Sequence, residues 1–509
     1  MIENRAETAT TMGKSRSRVK RAAVTLAILA LGFVLVLVVG AATVPSRQPM
    51  VAPLAPGALA VDADAVAAKL SSIVKRRTVS ASLDSPAPPA ELDGLHADLA
   101  EAFPKVHAAL QREVVGDHSL LYTWKGSDPA KKPIILCAHM DVVPVEPGTE
   151  AGWTHPAFDG AIEGGFVWGR GTLDDKGSLV AVLAAVDALL ADGFAPARTV
   201  YLAFGHDEEI SGRNGAARIV DLLASRGVHA ELALDEGSAI VEGVVTDVPA
   251  PVAAIGIAEK GYVSVDLKAE VPGGHSSTPA RDNALTVLAR AVEHLQAEPM
   301  PARIDGATGQ FFAWAAPEMR FGPRLALANT WVTGPLVRRM LATSPTLGAA
   351  IRTTTAVTVF HAGVKDNVVP ATATATVNFR VLPGDTTGDV LAHVRRVVDD
   401  DRISAAPQAG SRTEPSRVSK VDARGFQLLA RTVREVFPGT VVAPSLVLGA
   451  TDGRYYDKVA DDVYRFFPFR LGAADIKRIH GKDERIAVAT LAEGVRFYRR
   501  FLGEAAKGD

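Results

Sequence analysis

Five short clusters along this chain concentrate side chains that bind metals or move protons. His139-Met140-Asp141 follows the apolar run Ile134–Ala138. Residues two apart on a strand project to the same side, so both side chains can reach one site. A metal-binding histidine commonly gives its second ring nitrogen to a carboxylate, although an ordinary His-Asp hydrogen bond is the plainer reading of such a pair. The stretch from Gly169 to Gly177 is a glycine-rich turn opening a helix, with adjacent acids Asp174 and Asp175. Helix capping would also explain those acids. The spacing fits neither the P-loop nor the dinucleotide fingerprint. His206-Asp207-Glu208-Glu209 directly follows the apolar run Val200–Phe204, and Asp235-Glu236 ends Ala230–Leu234. Consecutive acids at the end of a buried strand are costly unless a cation or a proton compensates them. The fifth feature is His480, far along the chain in Ile479-His480-Gly481-Lys482-Asp483-Glu484-Arg485.

Two histidines with several carboxylates suit zinc, cobalt or manganese in a paired site. Two such ions about 3.5–4 Å apart can share one carboxylate and one water. The single cysteine, Cys137, excludes an internal disulfide and thiolate-based zinc ligation. A serine hydrolase is disfavoured because the chain has no Gly-x-Ser-x-Gly elbow.

The elements that must position these residues alternate. Apolar runs of strand length at 134–138, 199–204 and 230–234 are separated by helical patterns at 176–192 and 213–226. Such alternation implies an α/β domain whose sites lie at strand carboxyl ends. From 262 to 384 the texture changes to strand, helix, strand, strand, an α+β insert, with an apolar helical stretch from Phe311 to Ile351. That stretch either packs on the insert's own sheet or lines an acyl channel. The α/β pattern then resumes, so one domain spanning 62–261 and 385–509 is interrupted by another.

At 509 residues the chain has room for two or three domains, and 48% hydrophobic content supports a large core. No basic stripe with interleaved aromatics is present, which excludes a nucleic-acid footprint. Ala22 to Val44 is an uncharged apolar run of 23 residues, about 34 Å as a helix and enough to span a bilayer. The basic tail 1–21 precedes it, so the positive-inside rule places the catalytic part outside the cytoplasm. If the segment is instead a signal cleaved near Val39-Gly40-Ala41, the protein is secreted. Residues 45–61, rich in Pro and Ala, read as a linker.

The motifs resemble, in order, those of the zinc peptidase family of carboxypeptidase S, aminoacylase, glutamate carboxypeptidase, succinyl-diaminopimelate desuccinylase and the carnosine dipeptidases. Phe204-Gly205-His206-Asp207-Glu208-Glu209-Ile210-Ser211-Gly212 and Ile351-Arg352-Thr353-Thr354-Thr355 are most similar to carboxypeptidase S and the N-fatty-acyl-amino acid synthase/hydrolases. The resemblance implies a di-metal catalytic domain, its mixed sheet flanked by helices, and a lid and dimerisation insert. It implies two divalent ions, most simply zinc, held by His139, Asp174, Glu209, Asp235 and His480, with Glu236 competing for the place of Asp235. Asp141 would orient His139, Glu208 would be the general base, and His275 would stabilise the oxyanion, often from the opposite subunit. Asn367, Arg380 and Arg454 would contact the substrate. The implied reaction is hydrolysis of N-acyl amino acids or C-terminal peptide bonds by a homodimer. A dipeptidase, or a silent membrane-anchored binding protein of the same fold, are the alternatives.

Overall fold

The structure, a computed structural model, describes residues 3–507, with side chains from Lys20 onward. The side chains of Lys14, Arg16 and Arg18 in the basic tail lie outside the described residues. One helix, Glu3–Thr43, covers the tail and the apolar run, and its segment Lys20–Thr43 is long and apolar enough to cross a membrane.

Ten strands form a large mixed sheet. At its centre Val200–Gly205, Ile134–His139, Ala230–Asp235 and Ala460–Arg465 run parallel in that spatial order. These are the short apolar runs seen in the sequence, and the central strands are almost wholly buried, as a sheet covered on both faces requires. One face carries the buried helix Lys176–Ala191 packed with Ala63–Val74 and Val488–Ala505; the other carries Ala216–Ser225. His139 pairs with Gly205 and Asp235 with Arg465, so the carboxyl ends of these strands finish at one edge.

A separate antiparallel sheet of four strands runs in the order Thr354–Ala362, Thr372–Val381, Gly261–Glu270, Ile403–Thr413. Thr372–Val381 shows the period-two burial of a sheet with one covered face. Ala375, Val377 and Phe379 face a second core beneath helices Ala284–Ala297 and Thr387–Val398. This sheet thus takes elements from beyond residue 384, the expected boundary. Ile403–Thr413 is largely exposed, with Pro407 and Gly410 in mid-strand, and lacks the apolar alternation that would have marked it.

The stretch from Phe311 to Ile351 is helical, as expected, but it does not pack on the small sheet. Its first helix, Gly306–Ala315, lies on Val441–Val447 of the large sheet, and the Trp314 ring meets Phe426 at 5.2 Å. Nor do Trp331, Leu336 and Met340 line an enclosed channel, since all three are exposed. Residues 45–61 are stitched down rather than loose. The Gln48 amide donates to Val442 O at 2.9 Å and accepts from Val442 N at 2.7 Å, and Leu54 N donates to Glu435 O.

Between the two sheets the chain passes through Glu259 and Lys260, both buried. Glu259 accepts from Arg465 Nε at 2.8 Å and from the Thr451 hydroxyl at 2.8 Å. Lys260 Nζ donates to the carbonyls of Ala349 and Arg352, tying the end of the helical stretch to this crossing. Glu259→Ala would leave the Arg465 guanidinium buried without its partner, and should destabilise the fold by about 3–5 kcal/mol. Urea unfolding checks this: Glu259→Ala paired with Arg465→Met should recover most of the loss.

Candidate metal centre

The edge where the parallel strands end gathers the expected residues around one carboxylate. His139 Nε2 lies 2.9 Å from Asp174 Oδ1. His480 Nε2 lies 3.0 Å from Asp174 Oδ2 and 3.4 Å from Glu209 Oε2. Asp174 thus presents one oxygen to each imidazole. Two groups of potential ligands result, His139 with Asp174 and Glu236, and Asp174 with Glu209 and His480. Within each, the ligand atoms lie within 4.8 Å of one another.

The electrostatics of this edge call for positive charge. Burial, reinforced by neighbouring acids, pushes the carboxyls of Glu208 and Glu236 well above the usual range and raises Glu209 as well. Burial alone would lower His139, yet its hydrogen bonds with Asp141 and Asp174 carry it well above the ordinary imidazole value. Hydrogen bonds with Asp174 and Glu209 raise His480 to about 10. Against burial, the two imidazoles hold Asp174 below the usual carboxylate range. Glu209 Oε1 is buried and has no hydrogen-bond partner among the described residues. Imidazole and carboxylate donors, with no thiolate and an unpartnered buried oxygen, fit borderline-hard divalent cations.

Buried acids that are not themselves ligands set this geometry. Asp141 accepts from the backbone N–H of Glu208 at 3.1 Å and of Glu209 at 3.2 Å, fixing the turn that carries both. Its backbone carbonyl lies 3.0 Å from His139 Nδ1 and its carboxylate 3.4 Å away, so both meet the imidazole's second nitrogen. Asp207 faces away from the cluster and accepts from Asn214 N and Gly215 N, both at 2.8 Å. Glu484, which sequence reasoning passed over, is fully buried. Its Oε1 accepts from the N–H groups of Gly171, Leu173 and Asp174, and Oε2 from Arg170 at 2.6 Å. Arg170 also donates to His480 O at 3.1 Å. This network ties the glycine-rich turn to the His480 loop, hence one imidazole to the shared carboxylate. In sequence Glu484 looks like one charge in a solvated loop, because its partners are backbone groups some 310 residues away.

Asp452 was missed too. Both its oxygens are buried without a partner among the described residues. Room for it comes from Gly212, at φ +64, where a Cβ would stand 1.9 Å from Asp452 Oδ1.

The structure separates the two adjacent acids Asp235 and Glu236. Asp235 closes its strand facing Arg465 and Thr451, whereas Glu236, one residue on, joins His139 and Asp174. Successive side chains at a strand end point to opposite sides, so only one of two adjacent acids can face the cluster. His275 is exposed, bonded to Ser277 Oγ at 2.8 Å, and is not among the grouped ligands. Asn367 stands beside it, its carbonyl accepting from Ser276 N at 3.2 Å. The Arg380 guanidinium lies 4.9 Å over the Tyr262 ring. Arg454 donates to Thr451 O at 2.7 Å and Ser211 O at 2.8 Å, which clamps the turn following Glu209.

The chain is similar to known proteins in sequence and in fold. The profile of Peptidase family M20/M25/M40 matches residues 135–504. The chain is 39% identical over 487 residues to a probable carboxypeptidase S-like 2 of Dictyostelium discoideum, covering 94% of this chain and 93% of that one. It is 40% identical over 409 residues to the N-fatty-acyl-amino acid synthase/hydrolase PM20D1 of Homo sapiens, covering 80% and 81%. The fold matches an M20 family metallo-carboxypeptidase from Sulfolobus solfataricus with TM-score 0.62 at 19% identity, over 86% of this chain and 98% of that one. Human carnosine dipeptidase 1 matches with TM-score 0.60 at 15% identity, over 87% and 96%.

The two adjacent acids can be told apart by metal analysis of purified variants. Glu236→Ala should lower bound metal, whereas Asp235→Asn should leave it in place; the reverse result would restore Asp235 as the ligand.

Proposed function

Because the chain belongs to peptidase family M20/M25/M40 and is a metal-dependent hydrolase of that family, we propose that it cleaves the amide bond of N-acyl amino acids or the C-terminal bond of short peptides. The observation that carries this reading is the Asp174 carboxylate shared between two imidazoles, with Glu208 in the adjoining turn. The names of the carboxypeptidase S-like and N-fatty-acyl-amino acid relatives support this substrate class.

Two divalent ions, zinc or alternatively cobalt or manganese, would be held by His139, Asp174 and Glu236 and by Asp174, Glu209 and His480. When bound they supply Lewis acidity toward the scissile carbonyl and lower the pKa of a water. Glu208 takes the proton from the attacking water and returns it to the leaving amine. Asp141 keeps Glu208 in place through the backbone. Arg380, with one guanidinium face on Tyr262, has its N–H edge for a substrate carboxylate, and such a pair can be bidentate. Asn367 would join it. Arg454 we assign to holding the Ser211 turn, since its donors already meet two backbone carbonyls.

The residues from Gly261 onward that form the small sheet would act as lid and dimerisation element. Exposed His275, far from fully bonded in its own chain, would serve the partner subunit's site as oxyanion donor, a role whose loss typically slows turnover about 100- to 1,000-fold. The Lys20–Thr43 helix would anchor the protein, with the catalytic part on the extracytoplasmic side.

Glu208→Gln should keep its metal while kcat falls on the order of 100- to 10,000-fold. Loss of metal in that variant would make Glu208 a ligand instead. With the wild-type chain, kcat/KM for N-acyl amino acids from acetyl to oleoyl, and for dipeptides, tests the substrate class. N-acyl amino acids should be cleaved in preference to free dipeptides; preference for free dipeptides would overturn the N-acyl reading. Mixing Glu208→Gln and His275→Ala chains should restore part of the activity; a monomer showing no rescue would return His275 to its own chain.

A further inference from the structure

The helices Phe321–Ala328 and Thr330–Leu341 pack beside the N-terminal helix. Trp331 meets Phe33 edge to face, ring centroids 6.0 Å apart at 83°. Asn329, buried at this contact, donates from Nδ2 to Leu37 O at 3.0 Å and to Leu325 O at 2.8 Å. Gly40 permits the approach, since a Cβ there would stand 3.1 Å from Asn329 Oδ1.

The outer face of this helix pair is apolar and exposed. Phe321 is 50% exposed, Trp331 67%, Leu336 61% and Met340 63%. Val332, Leu336 and Met340 recur at every fourth residue, which places them on one face. Arg338 and Arg339 are exposed at the end of the same helix, and neither has an ion-pair partner among the described residues. From Met319 to Lys365 the chain has six basic residues and no acidic one.

We propose that this helix pair is a lipid-docking surface, seated in the bilayer leaflet on the catalytic side, with Arg338 and Arg339 at anionic headgroups. The proposal rests on reading Lys20–Thr43 as a membrane span. Phe33 stands ten residues before Thr43, about 15 Å along a helix and about half the hydrocarbon thickness. What surrounds the span at Phe33 therefore also meets Trp331, and in a membrane that is acyl chain. An apolar helical face flanked by arginines is the pattern of helices that lie at a bilayer surface. A second copy docking face to face would instead bring these arginines together. The stitched segment after the span keeps the body close: Ser46 donates to Glu318 at 2.6 Å, in the turn just before Phe321, and Gln48 is held by Val442. Docking holds the hydrolase where amphiphilic acyl substrates partition.

The test uses the full chain with Cys137→Ala, spin-labelled at Leu336→Cys or Met340→Cys, in phosphatidylcholine vesicles with and without phosphatidylglycerol. A label at Leu35→Cys reports the span, and one at Val364→Cys, 94% exposed, reports water. The expected result is oxygen access with loss of nickel-chelate access at 336, 340 and 35, but not at 364. Phosphatidylglycerol should deepen that loss at 336 and 340, and Arg338→Glu with Arg339→Glu should reverse it. Nickel access at 336 and 340 with the Leu35 label in lipid overturns the docking surface and leaves the span standing. Nickel access at all positions overturns the span reading, and the docking surface with it.

Discussion

Mutual repulsion among half-buried carboxylates is the constraint on which the rest of the arrangement turns. Asp174, Glu208, Glu209 and Glu236 converge where the parallel strands end, in a setting that penalises each charge by burial and again by its neighbours. Such a cluster persists only if cations or protons meet it, and the two imidazoles are placed to share that task from either side of Asp174. A dication answers the same field more completely than a proton does. The electrostatic problem the fold creates at this edge is one that a bound divalent cation would relieve.

Holding the cluster falls to groups that stand behind it. Asp141 and Glu484 are carboxylates whose oxygens are taken up by backbone N–H groups, at Glu208 and Glu209 in one case and at Gly171, Leu173 and Asp174 in the other. A charge-assisted bond to a backbone N–H fixes main-chain position, so these acids set where the ligands stand without competing for the cation. The Arg170–Glu484 pair joins two turns 314 residues apart in the chain, and Arg465–Glu259 joins residues 206 apart beneath the Thr451 loop. Both pairs are buried, so each partner depends on the other.

The second sheet and the helices after it extend the catalytic body in two directions. The small sheet carries the exposed His275 turn, which is not grouped with the candidate ligands of its own chain. The helices around Trp331 carry apolar surface to the N-terminal helix. Lys260 links both to the large sheet at the crossing point, where burial, which lowers the pKa of its ammonium to about 7, is offset structurally by two backbone carbonyls.

The local pattern of the chain already determined much of this. Apolar runs ending in His139-Met140-Asp141, Glu208-Glu209 and Asp235-Glu236 announce strands with a polar carboxyl end, and the membrane-length helix needs only composition. These signals are contiguous, so they survive without knowledge of the fold. What only tertiary structure decided depends on direction and on distant partners. Glu236 rather than Asp235 faces His139 because of how one strand end is turned. Glu484 matters because a turn near residue 171 reaches it, and Arg454 is clamped by a carbonyl at Ser211. The strand Ile403–Thr413 joins the small sheet through backbone hydrogen bonds, which leave no mark on side-chain periodicity. Likewise, the apolar residues around Trp331 read the same whether bound for a core, a channel or a surface; packing against the N-terminal helix, which needs no contiguous signal, decided among them.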